Sequence, residues 1–273
     1  MAQRALTAVV LLAAFLAALF WLPRLVFAVL TAALVGLAAL EWARLCRLSR
    51  SAGHCYAGAL LCVFAMLYGL AWPASWPPPP WLGAVFAAGT VFWILLAPAW
   101  IAAGVTRDRP RLLALAGAMV LLPAALALVT LPPPLVLGVL ALVWIADSAA
   151  YFAGRALGRR KLAPRTSPGK TWEGAVGGLL GVEVYVIICA LTIPAIATRL
   201  EEGEGWFLYL AGSAVLCIVS IIGDLFESAV KRQASVKDSG TLLPGHGGVL
   251  DRIDSAVAAL PVAALMVIFL VTP

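Results

Sequence analysis

Near the C-terminal end of the chain, polar residues fall at spacings suited to phosphate chemistry. Asp224, Glu227, Ser228 and Lys231 stand at i, i+3, i+4 and i+7 in an apolar run, so a helix sets them on one face. Arg232 and Lys237 follow, and then the loop Leu243-Pro244-Gly245-His246-Gly247-Gly248. A backbone this rich in glycine can turn N–H groups toward phosphate with no side chain in the way. Asp251 and Asp254, at i and i+3 with Arg252 between them, open the last apolar run. Carboxylates from two helix feet beside such a loop suit Mg²⁺, which takes oxygen ligands, commonly one or two carboxylates plus substrate phosphates. Lys231, Arg232 and Lys237 would neutralise the remaining phosphate charge. His246 reads first as a phosphate donor. An i,i+4 pair between Glu227 and Lys231 explains those two residues without a ligand, but it leaves the rest of the cluster unexplained.

A second cluster lies upstream. Asp147 sits in Trp144-Ile145-Ala146-Asp147-Ser148, inside an apolar run, where a carboxylate needs a partner or a task. Basic residues follow at Arg155, Arg159, Arg160, Lys161 and Arg165, and then Ser167-Pro168-Gly169-Lys170-Thr171-Trp172-Glu173-Gly174. Ser167 or Thr171 is expected to cap the next helix, with Glu173 in its first turn and Lys170 free to reach a phosphate. Glu183, deep in the following run, is expected to make a structural hydrogen bond. His54, in a basic loop, is expected to be solvated.

The elements that must hold these groups are membrane spans. Of 273 residues, 63% are hydrophobic and 12% charged, against roughly 25% charged in an ordinary soluble domain. Mean hydropathy is +1.02. These values exclude a disordered chain, a disulfide scaffold and a typical cytosolic enzyme. A bilayer core of ~30 Å needs about 20 apolar residues in a helix. About nine runs qualify: 5–22, 25–41, 56–72, 81–104, 112–131, 135–153, 174–198, 206–226 and 253–272. The first is too long for the apolar part of a cleaved signal and reads as a retained span.

With the N-terminus inside, every lysine and arginine except Arg24 and Arg199 falls in a cytoplasmic segment. The C-terminus then lies outside, and both polar clusters face the cytoplasm. From Trp206 the chain rises about 27 Å to Asp224 at ~1.5 Å per residue, which places that acid at the cytoplasmic end of its span. Residues 1–131 read as a scaffold of about five spans, and 132–273 as a catalytic part of about four spans with cytoplasmic loops, in one membrane domain. Tryptophans near run ends, among them Trp21, Trp42, Trp72, Trp81, Trp172 and Trp206, suggest interfacial belts. The net charge of +6 reflects these loops and does not point to nucleic acid. Cys46, Cys55, Cys62, Cys189 and Cys217 show no metal spacing and read as small apolar residues.

The run from Ser228 through Lys231-Arg232, Lys237-Asp238, Gly240, Leu243-Pro244, His246-Gly247-Gly248-Val249, Asp251-Arg252-Ile253-Asp254 resembles the signature of the phosphatidate cytidylyltransferase (CDP-diacylglycerol synthase) family. The segments Asp147 to Arg155 and Ser167 to Gly174 are similar to that family as well, with Gly169 where a polar residue is expected. The first ~130 residues resemble it only in being apolar. The resemblance implies an all-α polytopic membrane enzyme that converts CTP and phosphatidic acid to CDP-diacylglycerol and pyrophosphate. It implies Mg²⁺, a second cation, a homodimer and a place in phospholipid biosynthesis in a bacterial inner membrane. Carried over by position, Asp224, Asp251 and Asp254 are catalytic carboxylates together with Lys231 and Arg232, and the metal falls to Asp224, Asp251 and Asp147. Ser228, Lys237, His246, Gly247, Gly248, Lys170, Ser167 and Arg252 then bind substrate. A related CTP-dependent lipid-alcohol kinase is the alternative, and an ion-coupled transporter a remote one.

Overall fold

The computed structural model describes residues 2–71, 78–105, 109–201, 205–242 and 247–271. Helices dominate: α1 (Ala2–Trp21), α2 (Arg24–Leu45), α3 (Arg50–Ala71), α4 (Pro80–Val91), α5 (Ala97–Ala103), α6 (Pro110–Thr130), α7 (Pro133–Leu157), α8 (Trp172–Thr192), α9 (Pro194–Leu200), α10 (Gly205–Gln233), α11 (Leu250–Ile253) and α12 (Ala256–Val271). Among the described residues, seven helical stretches are long and apolar enough to cross a bilayer, and Val9–Trp21 and Ala256–Phe269 are shorter apolar helices. The protein is an all-α polytopic membrane protein, and among the described residues each expected apolar run is largely helical.

Three boundaries differ from the sequence expectation. The run 81–104 is α4 and α5 joined by a π turn at Phe92–Leu96, one turn ahead of Pro98, which has no N–H to donate. The run 174–198 breaks at Ile193, because Pro194 starts α9. The last run begins at Ala256, and the short α11 precedes it. At that break the Asp254 side chain accepts the Ser255 N–H at 2.8 Å, a local bond that competes with helix continuation. Asp251 and Asp254 therefore do not open one helix together.

An antiparallel hairpin between α7 and α8 was not anticipated. Strand β1 (Lys161–Ala163) pairs with β2 (Ser167–Thr171), Lys161 opposite Thr171. It is held down because α7 and α8 pack at backbone distance. A Cβ on Gly174 would lie 2.9 Å from the Ala150 carbonyl, and one on Gly178 2.9 Å from that of Ala146. Small residues at this spacing let two spans approach closely where no hydrophobic drive exists inside lipid.

The packed centre joins α2, α4, α6, α10 and α12. Phe226 of α10 is buried among Trp42, Phe92, Trp93 and Trp100, with ring centroids 5.4 to 6.3 Å away. Such aromatic pairs are worth about 0.5–1.5 kcal/mol each, and together they fix the rotation of α10. Trp42 is not an interfacial residue, for it is buried and donates its Nε1–H to the Leu113 carbonyl at 2.8 Å. Trp21 and Trp172 remain exposed as a belt requires, and Trp72 lies outside the described residues.

Candidate active site

With Phe226 locked into the aromatic centre, the face bearing Asp224, Glu227, Ser228 and Lys231 is turned toward the hairpin and α11. Ser228 Oγ donates to Asp224 Oδ1 at 3.2 Å. The other oxygen, Asp224 Oδ2, meets Lys170 Nζ at 2.6 Å. Lys231 Nζ lies 2.7 Å from Glu227 Oε2 and 2.7 Å from Asp251 Oδ1. The i,i+4 pair expected of Glu227 and Lys231 thus exists, and the same ammonium also binds Asp251 from α11.

Lys170 is aimed by the hairpin. Thr171 closes β2 and caps α8, its Oγ1 accepting the Gly174 N–H at 3.1 Å. The cap is Thr171, and Ser167 sits partly buried at the other end of the strand. Glu173 accepts the Arg159 and Arg160 N–H groups at 3.0 and 3.1 Å, which ties the connection after α7 to the first turn of α8. Arg232 on α10 donates to the Thr166 carbonyl at 3.3 Å and to the Val236 carbonyl at 3.2 Å. The hairpin is therefore pinned to α10 at both ends.

Asp251 is the most heavily bonded acid of the site. Its Oδ2 accepts the Gly248 N–H at 2.7 Å, the Ser239 N–H at 3.0 Å and stands 3.0 Å from Ser239 Oγ. Burial alone would raise its carboxyl, but the Lys231 ammonium and the two amides outweigh burial and hold it below the usual carboxylate range. Asp254, between α11 and α12, is pushed the other way, first by burial and then by the Asp224 carboxylate. Gly247 adopts φ +82°, and a Cβ there would lie 2.6 Å from Asp251 Oδ2. Both the backbone angle and the close approach demand glycine.

Asp147, on an exposed side of α7, lies within electrostatic range of Lys170, Asp224 and Ser255. Asp147, Lys170, Asp224, Ser228, Lys231, Gly248, Asp251 and Asp254 thus form one connected set drawn from four stretches of chain. Ser167, Arg232, Lys237 and Arg252 stand around it, the last three exposed. His246 lies outside the described residues. Glu183 is satisfied by the Ser213 hydroxyl at 3.0 Å. His54 is exposed, with Nδ1 2.6 Å from the Arg50 carbonyl.

Among the described residues, no group of three acidic, cysteine or histidine side chains stands ready to hold a metal ion, and Asp147, Asp224 and Asp251 are not drawn into one. Both acids have both oxygens engaged: Asp251 by Lys231 and two backbone amides, Asp224 by one ammonium and one hydroxyl, with Asp147 and Asp254 close enough to feel its charge. The donors are all carboxylate oxygens, which fits a hard cation, and Lys170 shows that a cation is already accepted at Asp224. The set fits a cation held by Asp224 in place of Lys170, which Asp251 joins only by releasing Lys231.

Sequence reasoning missed Glu41. It belongs to α2, in the part read as scaffold, and is 3% exposed. It accepts the Val249 N–H at 2.9 Å, the Leu250 N–H at 2.9 Å and the Ser239 hydroxyl at 3.0 Å. An acid near the end of an apolar run was the available signal.

A model of the cytidylyltransferase family matches residues 2–270 of the chain. The chain is 41% identical to a phosphatidate cytidylyltransferase of Pseudomonas aeruginosa over 97% of its own length and 96% of the relative's. It is 37% identical to a phosphatidate cytidylyltransferase of Haemophilus influenzae over 95% of its length and 96% of the relative's. To the enzyme of that name from Brucella suis it is 53% identical, over 47% of this chain and 44% of the other.

Proposed function

The chain belongs to the cytidylyltransferase family, and from that premise we propose that it transfers the cytidylyl group of CTP to phosphatidic acid, giving CDP-diacylglycerol and pyrophosphate. The single observation that carries this reading, beside the relatives' shared name, is the ionic set joining Lys170, Asp224, Lys231 and Asp251 from separate stretches of chain. Two polyanions must meet in this reaction. A site that alternates ammonium and carboxylate groups within 2.7 Å of each other is suited to exchanging these internal pairs for phosphate and metal.

The nucleophile is a phosphate monoester oxygen of the lipid. The second pKa of such a group is near 6, so it is largely ionised at neutral pH and no strong general base is required. Its oxygen forms a bond to the α-phosphorus of CTP as the bond from that phosphorus to the bridging oxygen of the β-phosphate breaks, and pyrophosphate leaves with the electron pair. Lys170, Lys231 and Arg232 offset the charge that gathers on the phosphoryl oxygens, while Ser228, Ser167 and the Gly247 amide orient them beside Gly248, whose own N–H holds Asp251. Lys237 and Arg252 extend the basic rim, and His246 is proposed as a further phosphate donor. Alignment of the two substrates supplies much of the acceleration, because the transfer needs the attacking and leaving oxygens in line.

Mg²⁺ belongs to the proposal, with Asp224 as its anchor, Asp147 beside it and Asp251 as the carboxylate that can join. When bound, it would supply positive charge against the triphosphate. A second cation and a homodimer are part of the same proposal. So is a bacterial inner membrane, with the N-terminus inside, the C-terminus outside and the site on the cytoplasmic side. Its support is the placement of basic residues between the spans. The lipid then keeps its tails in the inner leaflet while CTP arrives from the cytosol.

The test is product identity. Purified chain with radiolabelled CTP, phosphatidic acid and Mg²⁺ is expected to yield labelled CDP-diacylglycerol and one pyrophosphate per turnover. Release of CDP with a newly phosphorylated lipid alcohol would overturn the reading, as would substrate flux in proteoliposomes without CTP.

A further inference from the structure

We propose that Glu41 is a positioning residue for the transfer, setting the Asp251–Lys231 pair through Ser239 and the residues that open α11. The inference rests on the activity proposed above. Glu41 stands on α2, far in sequence from the ionic set, yet its carboxylate is the socket that holds Ser239, Val249 and Leu250.

Both its oxygens are used. Oε1 accepts the Val249 N–H and Oε2 the Leu250 N–H, each at 2.9 Å. Val249 precedes α11 and has no side-chain oxygen to cap it, so a carboxylate from another span takes that part. Oε2 also lies 3.0 Å from the Ser239 hydroxyl, which is 3.0 Å from Asp251 Oδ2 as well. A hydroxyl has one proton, so Ser239 Oγ serves either carboxylate, while its amide N–H holds Asp251 at 3.0 Å in both cases. Ser239 is thus a bridge with Glu41 on one side and the Lys231-bound Asp251 on the other.

The fit around Glu41 is close. A Cβ on Gly240 would stand 2.5 Å from Oε1, and one on Gly248 2.5 Å from Oε2. The connection can wrap the carboxylate only with glycine at both places, one of which also donates its N–H to Asp251. A buried acid in a span is costly unless it is fully bonded, and here each bond it makes leads to the segment that carries Asp251. A shift of the order of 1 Å at such a group can cost about 10²-fold in rate.

Glu41→Gln keeps the size of the side chain but places an amide NH₂ against an N–H donor, whichever way it turns. Ser239→Ala removes only the bridging hydroxyl. The experiment measures kcat and KM for CTP in the wild type, E41Q, S239A and the double variant, per mole of folded detergent-solubilised full-length chain, with folding read from thermal unfolding. We expect each single variant to lose about tenfold in kcat, with KM for CTP changed by less than about twofold. The double variant should lose little more than the weaker single, since the two act as one unit. A merely structural role would lower the folded fraction and leave kcat per folded chain intact. Wild-type kcat in E41Q, or a double loss equal to the product of the single losses, overturns the proposal. Should E41Q fail to fold, wild-type kcat in S239A overturns it. A wild-type chain that makes no CDP-diacylglycerol overturns the activity and this inference together.

Discussion

Lys170 Nζ lies 2.6 Å from Asp224 Oδ2, and this contact ties the hairpin before α8 to the acid face of α10. Both side chains are about three-quarters buried, so the pair is shielded more than a surface ion pair. A hydrogen bond to a charged group is worth about 1.5–3 kcal/mol, and roughly 1.4 kcal/mol is tenfold. Lys170→Met is therefore expected to lower kcat/KM for CTP by roughly 10- to 100-fold while the chain stays folded. Steady-state turnover checks this, and a value within twofold of wild type would remove the pair from the machinery.

Divalent metal is expected to be required, with Asp224 as its anchor. EDTA should stop turnover and added Mg²⁺ restore it. Asp224→Asn should raise the Mg²⁺ concentration for half-maximal rate by about tenfold or more, the scale on which altered metal sites lose affinity. Asp251→Asn should act mainly on kcat, because that carboxylate already has Lys231, Gly248 and Ser239 as partners. A Mg²⁺ titration of each variant separates the two outcomes.

Two glycines should respond oppositely to alanine. A Cβ at Gly248 runs into Ser239 Oγ and Glu41, and Gly169 has nothing within 4 Å of one. Gly248→Ala is expected to cost about 1–3 kcal/mol, the usual range for overpacking, and to abolish most activity. Gly169→Ala should stay within about 0.5 kcal/mol of wild type, like other exposed substitutions. Thermal unfolding in detergent, alongside turnover, reads both.

Thr171 links capping to positioning, since the residue that caps α8 immediately follows Lys170. Thr171→Val keeps the β-branched shape and deletes the capping oxygen, which costs roughly 1 kcal/mol. The expected result is a lower unfolding temperature and a raised KM for CTP. An unchanged KM with the same loss of stability would show that the cap does not steer Lys170.

Much of this was legible along the chain. Apolar length alone marks the spans, because lipid leaves a backbone no partner except its own helix. The i, i+3, i+4, i+7 spacing put Asp224, Glu227, Ser228 and Lys231 on one face, and the glycines around residue 248 marked a backbone that must come close to something. Asp251 was singled out by its type and neighbours. What those residues touch was not legible. Local spacing pairs Glu227 with Lys231 and is silent about Asp251, since that acid lies 20 residues further along the chain.

Sequence by itself determined the apolar helices and the acid face of α10, since these follow from helical periodicity and from the cost of polar groups in lipid. Tertiary structure alone decided that Lys170 meets Asp224, that Asp251 is held by Lys231 and two backbone amides, and that Glu41 of an early span holds Ser239 and the start of α11. Those contacts join residues far apart in the chain. They depend on how closely α7 and α8 approach and on the rotation of α10 around Phe226, and packing across the whole bundle sets both.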